Sequence, residues 1–500
     1  MRSKKLVANT VTSLLREVVM IISNFILPRL ILSYYGSEVN GLVNSITQFL
    51  HVITFLDLGV GAVVQSVLYK PLATGNKIEI DQIVTSATKF FRRIGRILLG
   101  YIVILMIIYP YIAEQKFDHI YTAILIFAMS ISTLSQYYLG VVDSLLLTAD
   151  QRGYIQYLGQ IGAIITVTIT SVIIIFCGGS IQWVKLVTSF IYLGRASVIR
   201  LYVNKKYNVN RSAYYKTEPI KQKWNGLAQH VAAVVLDSTD TIVLTIFSTL
   251  SNVSVYSVYH IVVYGIRNIF LVITNGIQAL LGELWAKQDS QLRNVFLWTE
   301  WLIHTLVVIA FGCTGVLILP FISIYTKGVT DANYIQPLFS ILIICAHAFY
   351  CLRLPYHMMI KASGHYKETQ SCYIIATVMN IVISIVTVFI WGLIGVAIGT
   401  LSAMLYQTVW MAWYNSKHLI NREMKEFVKQ VGIDFIVLTI GIASTLWIKL
   451  SDLTYYSWIV MAIEVLIIWI ATSVFINLIF NKDRLLQLLT RIKKRLQHLS

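Results

Sequence analysis

The sequence predicts an all-α polytopic membrane protein. About fourteen transmembrane helices would form two six-helix lobes around a central cavity, with two extra helices and both termini in the cytoplasm. Three observations carry this expectation. The chain is 57% hydrophobic and 13% charged over 500 residues, against about 45–50% and about 25% in soluble domains, an excess too large for a single soluble core. Apolar windows of bilayer-spanning length recur along the whole chain. The cations between them alternate between a rich side and a sparse side.

The windows place spans near 8–34, 40–69, 88–112, 119–147, 154–177, 182–203, 224–249, 253–285, 294–325, 334–360, 367–390, 392–416, 428–450 and 455–480. Several exceed the length a bilayer needs, so tilted or protruding helices are expected. Arg2, Lys4 and Lys5 precede the first span in the manner of a signal peptide. That apolar run is too long, however, and lacks a small-residue cleavage site, so it reads as a retained span.

The net charge is +17, and its placement sets the orientation. Thirty of the 40 Lys and Arg residues lie in the connections on the side of the N-terminus or at nearby helix ends. Only Lys116, Lys185, Lys327 and Lys449 lie on the opposite side, and six cations fall within spans. The positive-inside rule then puts both termini in the cytoplasm. No nucleic-acid partner is expected. The five cysteines (Cys177, Cys313, Cys345, Cys351 and Cys372) all fall in apolar stretches without metal-ligand spacing, which marks them as small buried apolar residues.

A weak internal repeat organises the chain. "LTADQRGYIQ" after span 4 matches "IKASGHYKET" after span 10, with Ala149 aligned to Ala362 at an offset of 213 residues. The same offset carries the start of span 1 to the start of span 7. The domains are then an N-lobe over 1–203, a basic cytoplasmic loop over 204–223, a C-lobe over 224–416, spans 13 and 14 over 417–480, and a basic cytoplasmic tail over 481–500. Parallel repeats with a site between them suit alternating access. The tail "RLLQLLTRIKKRLQHLS" spaces leucines helically among cations. It is expected either to lie on the anionic inner leaflet or to end as a solvated helix.

Ionisable residues within spans cost about 2.5–3.5 kcal/mol at the bilayer centre on insertion scales, so they face protein or water. In span 1 Asn9, Thr12, Ser13, Arg16 and Ser23 share a face, while Arg29 follows Pro28 on another and can snorkel beside Tyr34 and Tyr35. Span 2 aligns Thr47, Thr54, Asp57, Gly61 and Gln65; span 7 gathers His230, Asp237, Asp240 and Thr241. Span 8 aligns Tyr256, His260, Tyr264, Arg267, Thr274 and Gln278, and span 10 offers Tyr350, Arg353, Tyr356 and His357. Any single pair could be an interhelical ion pair, such as Arg16 with Asp57 or Arg267 with Asp237. Five such stripes together imply a wet cavity lined by cations, aromatics and amides. Arginine forks suit phosphate or carboxylate, and aromatic faces with scattered amides suit sugar rings. An organic anion or an amino acid fits the composition as well.

Several segments carry a family resemblance: "FILPRLILSYYGSEVNGLVNSITQFL", "FLDLGVGAVVQSVLYKPLA", "DSTDTIVLTIF" with "VYSVYHIVV", "GELWAKQD", "MIKASGHYKETQSCYIIATVMNIVISI" and "GLIGVAIGTLSAML". In this order, over about residues 1–420, they resemble polysaccharide repeat-unit (Wzx-type, O-antigen or capsule) flippases. That family belongs to the superfamily that also holds MATE drug exporters and lipid II flippases. The resemblance implies a non-enzymatic transporter in the bacterial cytoplasmic membrane. It would move undecaprenyl-pyrophosphate-linked oligosaccharide from the inner to the outer leaflet, with membrane lipids, a polymerase and glycosyltransferases as partners. It implies Arg16 and Arg267 as pyrophosphate clamps and Arg353 as a third, with His260, Tyr264 and Gln278 lining the headgroup site. Asp57, Asp237 and Asp240 would be lumen or coupling carboxylates.

No cofactor is implied beyond Na+ or H+ coupling, and no Walker-type loop is present. A sodium site of the lipid II type would draw on Asp237 or Asp240, Asn380 and Thr400. Ser384 departs from that pattern by standing where a second carboxylate belongs. The alternative for Asn380 is an interhelical hydrogen bond.

Two rivals remain at the level of sequence. A MATE-like exporter of a small organic molecule would lack the long basic loop and the "FLDLGVG" and "KASGHYK" pieces. A membrane polymerase would show a large external loop, whereas the outer connection around "KGVTDANY" is short. An O-acyltransferase would need a catalytic His deep in a span. The histidines present are better explained as polar wall residues.

Overall fold

The protein is all helical among the described residues, which in this computed structural model are 2–54, 60–112, 117–220 and 227–497. Seventeen α-helices run in order: α1 (Arg2–Val52), α2 (Val60–Thr74), α3 (Lys77–Ile112), α4 (His119–Ser135), α5 (Val141–Ala149), α6 (Gly153–Phe176), α7 (Ile181–Tyr207), α8 (Leu227–Phe247), α9 (Leu250–Ala286), α10 (Leu292–Tyr325), α11 (Pro337–Leu352), α12 (Leu354–Ser363), α13 (Tyr366–Trp391), α14 (Leu393–Tyr414), α15 (Met424–Thr445), α16 (Tyr455–Phe480) and α17 (Lys482–Gln497). Twelve stretches of helix among the described residues are long and apolar enough to cross a membrane, making this a multi-pass membrane protein. One of them, Val7–Val52, contains the first expected span and the opening part of the second, the end of which lies in α2. Gly36 breaks it, at φ 84 and ψ 176, in the short connection expected between 34 and 40. Only glycine takes that backbone without strain.

Two compact units divide the chain, Met1–Ser254 and Val255–Ser500. The helix α8, which follows the 204–223 loop, packs within the first unit against α1. Ser45 shares a hydrogen bond of 2.7 Å with Thr245, Tyr109 donates to Ser45 at 2.6 Å, and Asn40 donates to Ser254 at 2.8 Å.

The expected basic loop is structured over its described part. Asn208 caps α7 in the left-handed conformation. The Asn210 amide donates to Asp81 at 3.0 Å, Gln82 donates to the Tyr214 carbonyl at 3.0 Å, and Arg211 pairs with the buried Asp143 at 2.6 Å. The loop lies along α3 instead of swinging free.

Spans 4 and 10 are both interrupted. A π turn over Gln136–Gly140 separates α4 from α5. Arg353 separates α11 from α12, where Pro355 in the first turn has no N–H to continue the helical ladder. Gly140 and Arg353 are 213 residues apart, the offset of the repeat.

In the second unit α15 and α16 pack on α10 around Trp469. Gly312 and Gly441 leave the slot for its ring, since a Cβ on either would overlap the indole. Trp301 donates to Asn477 at 2.7 Å, tying α10 to α16. One expectation fails here: Cys177, at the end of α6, is exposed, whereas Cys313, Cys351 and Cys372 are buried and Cys345 partly so. An apolar stretch in a membrane protein has a lipid-facing side as well as a packed one, and Cys177 falls at its end.

Candidate functional site

In the second unit α9 spaces Tyr256, His260 and Tyr264 four residues apart, and helical geometry stacks them. The Tyr256 and His260 rings lie 5.4 Å apart, and the His260 and Tyr264 rings 5.1 Å apart. His347 of α11 meets His260 edge-on at 5.6 Å. The column ends at Arg267, whose guanidinium lies 4.5 Å from the Tyr264 ring and 4.4 Å from that of Tyr350. Arg353, at the break between α11 and α12, lies over the same Tyr350 ring at 4.1 Å. Gln278 is half-buried farther along α9.

Both arginines are buried, with 4% and 6% of their surface exposed. Among the described residues Arg353 makes no ion pair, and its buried Nε and Nη1 have no hydrogen-bond partner. Sharing one aromatic ring gives each guanidinium about 0.5–2 kcal/mol of attraction to the ring. It also holds two like charges together at low dielectric. An anion with several acceptor oxygens would offset that repulsion and fill the open donors.

The span 1 stripe behaves differently. Asn9 donates to the Gln151 carbonyl at 3.1 Å and accepts from the Tyr154 amide at 2.7 Å. Seven residues on, Arg16 donates to Gln160 at 3.3 Å, lies 5.6 Å from the Tyr157 ring, and pairs with its neighbour Glu17. Seven further, Ser23 shares a hydrogen bond with Thr168 at 2.8 Å. A seven-residue period is that of a packed helix seam, and these three residues seam α1 to α6. Arg29 is half-buried, its carbonyl accepting from Ser33 at 2.9 Å.

Asp57 lies outside the described residues, as does the side chain of His230. Asp237 is exposed and Asp240 buried on α8, in the first unit. Asn380 and Thr400, in the second unit, are joined by a direct hydrogen bond of 3.1 Å across the α13–α14 hairpin, with Ser384 donating to the Val396 carbonyl at 3.4 Å. Among the described residues no group of three His, Cys, Asp or Glu side chains could hold a metal ion.

Sequence reasoning missed a buried polar network in the second unit. Arg422, just before α15, grips both oxygens of Glu300 on α10 at 2.5 Å. Tyr356 of α12 donates to Glu300 at 2.5 Å, and its oxygen lies 3.2 Å from His304 Nε2. His304 Nδ1 meets Asp434 of α15 at 2.6 Å, and Gln430 donates to Asp434 at 2.9 Å. Burial would lower the Arg422 guanidinium, but the Glu300 carboxylate more than offsets this and holds it above its ordinary value. The only signal was charge inside apolar windows, as at Glu300, because Glu300 and His304 meet their partners 52 to 130 residues away.

The fold, a chain of broken and continuous spanning helices, is similar to that of several solved membrane transporters. A multidrug resistance MATE family transporter of the MOP superfamily, in its inward-facing conformation, matches with a TM-score of 0.56 at 13% identity, covering 79% of this chain and 95% of its own. A MOP superfamily transporter from Pyrococcus furiosus matches with 0.54 at 13% identity, covering 83% and 96%. The lipid II flippase MurJ, in its inward closed conformation, matches with 0.71 at 14% identity, covering 95% of this chain and 99% of its own. The likeness is one of fold, and these neighbours are flippases and transporters rather than enzymes. No protein-family model and no curated protein matches the chain.

Proposed function

We propose that this protein flips an oligosaccharide repeat unit, joined to undecaprenyl through pyrophosphate, from the inner to the outer leaflet of the bacterial cytoplasmic membrane. The product would feed capsule or O-antigen-type polysaccharide, with glycosyltransferases supplying the cargo and a polymerase consuming it. One observation carries the proposal. Arg267 and Arg353 share the Tyr350 ring, and Arg353 has buried donors open to an anion. A pyrophosphate supplies two charges and several acceptor oxygens to such a pair. The MurJ fold supports a lipid-linked cargo, since that neighbour is described as a lipid II flippase. Coupling to Na+ or H+ belongs to the same proposal, with Asp237 as the assigned carboxylate.

A MATE-like exporter is the second reading, favoured by the Tyr256–His260–Tyr264 column, which would stack on a flat organic molecule. The test uses the full chain in proteoliposomes with a fluorescent undecaprenyl-pyrophosphate disaccharide and an external quencher. Protein-dependent transfer between leaflets, competed by inorganic pyrophosphate, is expected. Absence of transfer together with uptake of an aromatic cation would replace this proposal with the second reading.

A further inference from the structure

The first unit holds a pocket that the proposed function does not use. It has a volume of about 350 Å³, and its lining includes Thr54, Thr133, Gln136, Tyr137, Tyr192 and Arg195. The π turn of span 4 forms one wall. A π turn carries an extra residue in the ladder and occurs often at functional sites. Here the Tyr138 carbonyl accepts from Arg200 at 3.0 Å. The hydroxyls of Ser132 and Ser135, also in the wall, donate back to the carbonyls of Met129 and Ser132 at 2.9 and 2.7 Å, leaving their oxygens as acceptors. Thr54 Oγ1 and Arg195 Nε are buried and, among the described residues, have no hydrogen-bond partner.

The repeat gives this pocket a counterpart. Thr54 and Arg267 are 213 residues apart, as are Tyr137 and Tyr350, Gly140 and Arg353, and Arg195 and Thr408. Thr408 donates to the carbonyl of Phe349, next to Tyr350, at 2.9 Å. By the offset of the expected repeat, Thr54, Tyr137 and Arg195 of the pocket align with Arg267, Tyr350 and Thr408 of the second unit. The pocket's chemistry differs from that of the two-arginine cluster: one cation, on α7, lies among hydroxyls, an amide and two tyrosines. A single guanidinium suits one negative substituent, hydroxyls and amides suit ring hydroxyls, and tyrosine faces suit the C–H faces of a ring. The volume is at the small end of ligand pockets, about 300–1,000 Å³, and fits one ring rather than an oligosaccharide.

We propose that this pocket binds a single acidic sugar, a pyranose bearing a carboxylate or phosphate, with Arg195 on its charge. That the sugar arrives on a lipid rests on the proposed function; the binding itself does not. The test is saturation-transfer NMR on the full chain in nanodiscs, with glucuronate and glucose as probes. Glucuronate is expected to bind at least tenfold more tightly than glucose. Arg195→Ala should lose that binding at least tenfold and Arg195→Lys should keep part of it. Thr133→Trp fills the pocket without altering charge, and should lose binding as well. Equal binding of the two sugars, no binding of glucuronate, or full binding by Thr133→Trp would overturn the proposal. Glucuronate binding in a protein that transfers no lipid-linked cargo would overturn the proposed function and leave the pocket standing.

Discussion

Arg353 sits where a helix breaks, and both features serve one geometry. The break re-aims the chain, the Tyr350 ring shields the guanidinium's face, and the donors Nε and Nη1 are left for something else. A lysine could keep the charge but not the fork. Arg353→Ala is expected to slow transfer of lipid-linked cargo at least tenfold, and Arg353→Lys to recover less than half of that loss, read as initial rates in proteoliposomes. Full activity of the lysine variant would show that bulk charge suffices. Asp237→Asn should alter the Na+ or pH dependence of the same rate; an unchanged dependence moves coupling to another group. At this scale the sequence was informative where helical spacing gathers one chemistry, as on α9, and ambiguous on α1. Periodicity tells which residues share a face but not what that face meets, so Asn9, Arg16 and Ser23 read equally as cavity lining or as a seam to α6.

Among elements, α10 carries the packing of the second unit. Its Glu300 and His304 hold Arg422, α12 and α15, and its Gly312 admits Trp469 of α16. Removing one partner of a buried pair strands the other, typically at about 3–5 kcal/mol. Glu300→Gln is therefore expected to lower the thermal unfolding midpoint in detergent markedly. Glu300→Met combined with Arg422→Leu should recover most of that loss, because a well-packed apolar pair is often no worse than the ion pair. Gly312→Val places atoms inside the indole slot and should cost about 1–3 kcal/mol by overpacking, measured in the same way. Helix positions were legible because hydropathy and length bound them tightly. The π turn at Gln136–Gly140 was not, because its sequence "QYYLG" offers no proline and its signature is one extra residue in a hydrogen-bond ladder.

For the whole molecule, the cation census makes a topological claim. Ser212, in the loop along α3, is expected in the cytoplasm, and Asn333, before α11, outside. Both are exposed. In a Cys177→Ser background, a membrane-impermeant maleimide should label Asn333→Cys in intact spheroplasts and Ser212→Cys only after lysis. The reverse pattern would invert the orientation.

The placement of α8 bears on how such a chain could be taken apart. This helix follows the basic loop expected to end the first lobe, yet it packs against α1 within the first unit. A gene cut between codons 220 and 227 would produce a shorter piece missing a helix it packs against and a longer piece presenting that helix. Each fragment would carry the other's missing complement, so the two halves have a molecular reason to find each other when made separately. A cut after Ser254, at the boundary of the two compact units, would instead fall within α9 and sever that helix.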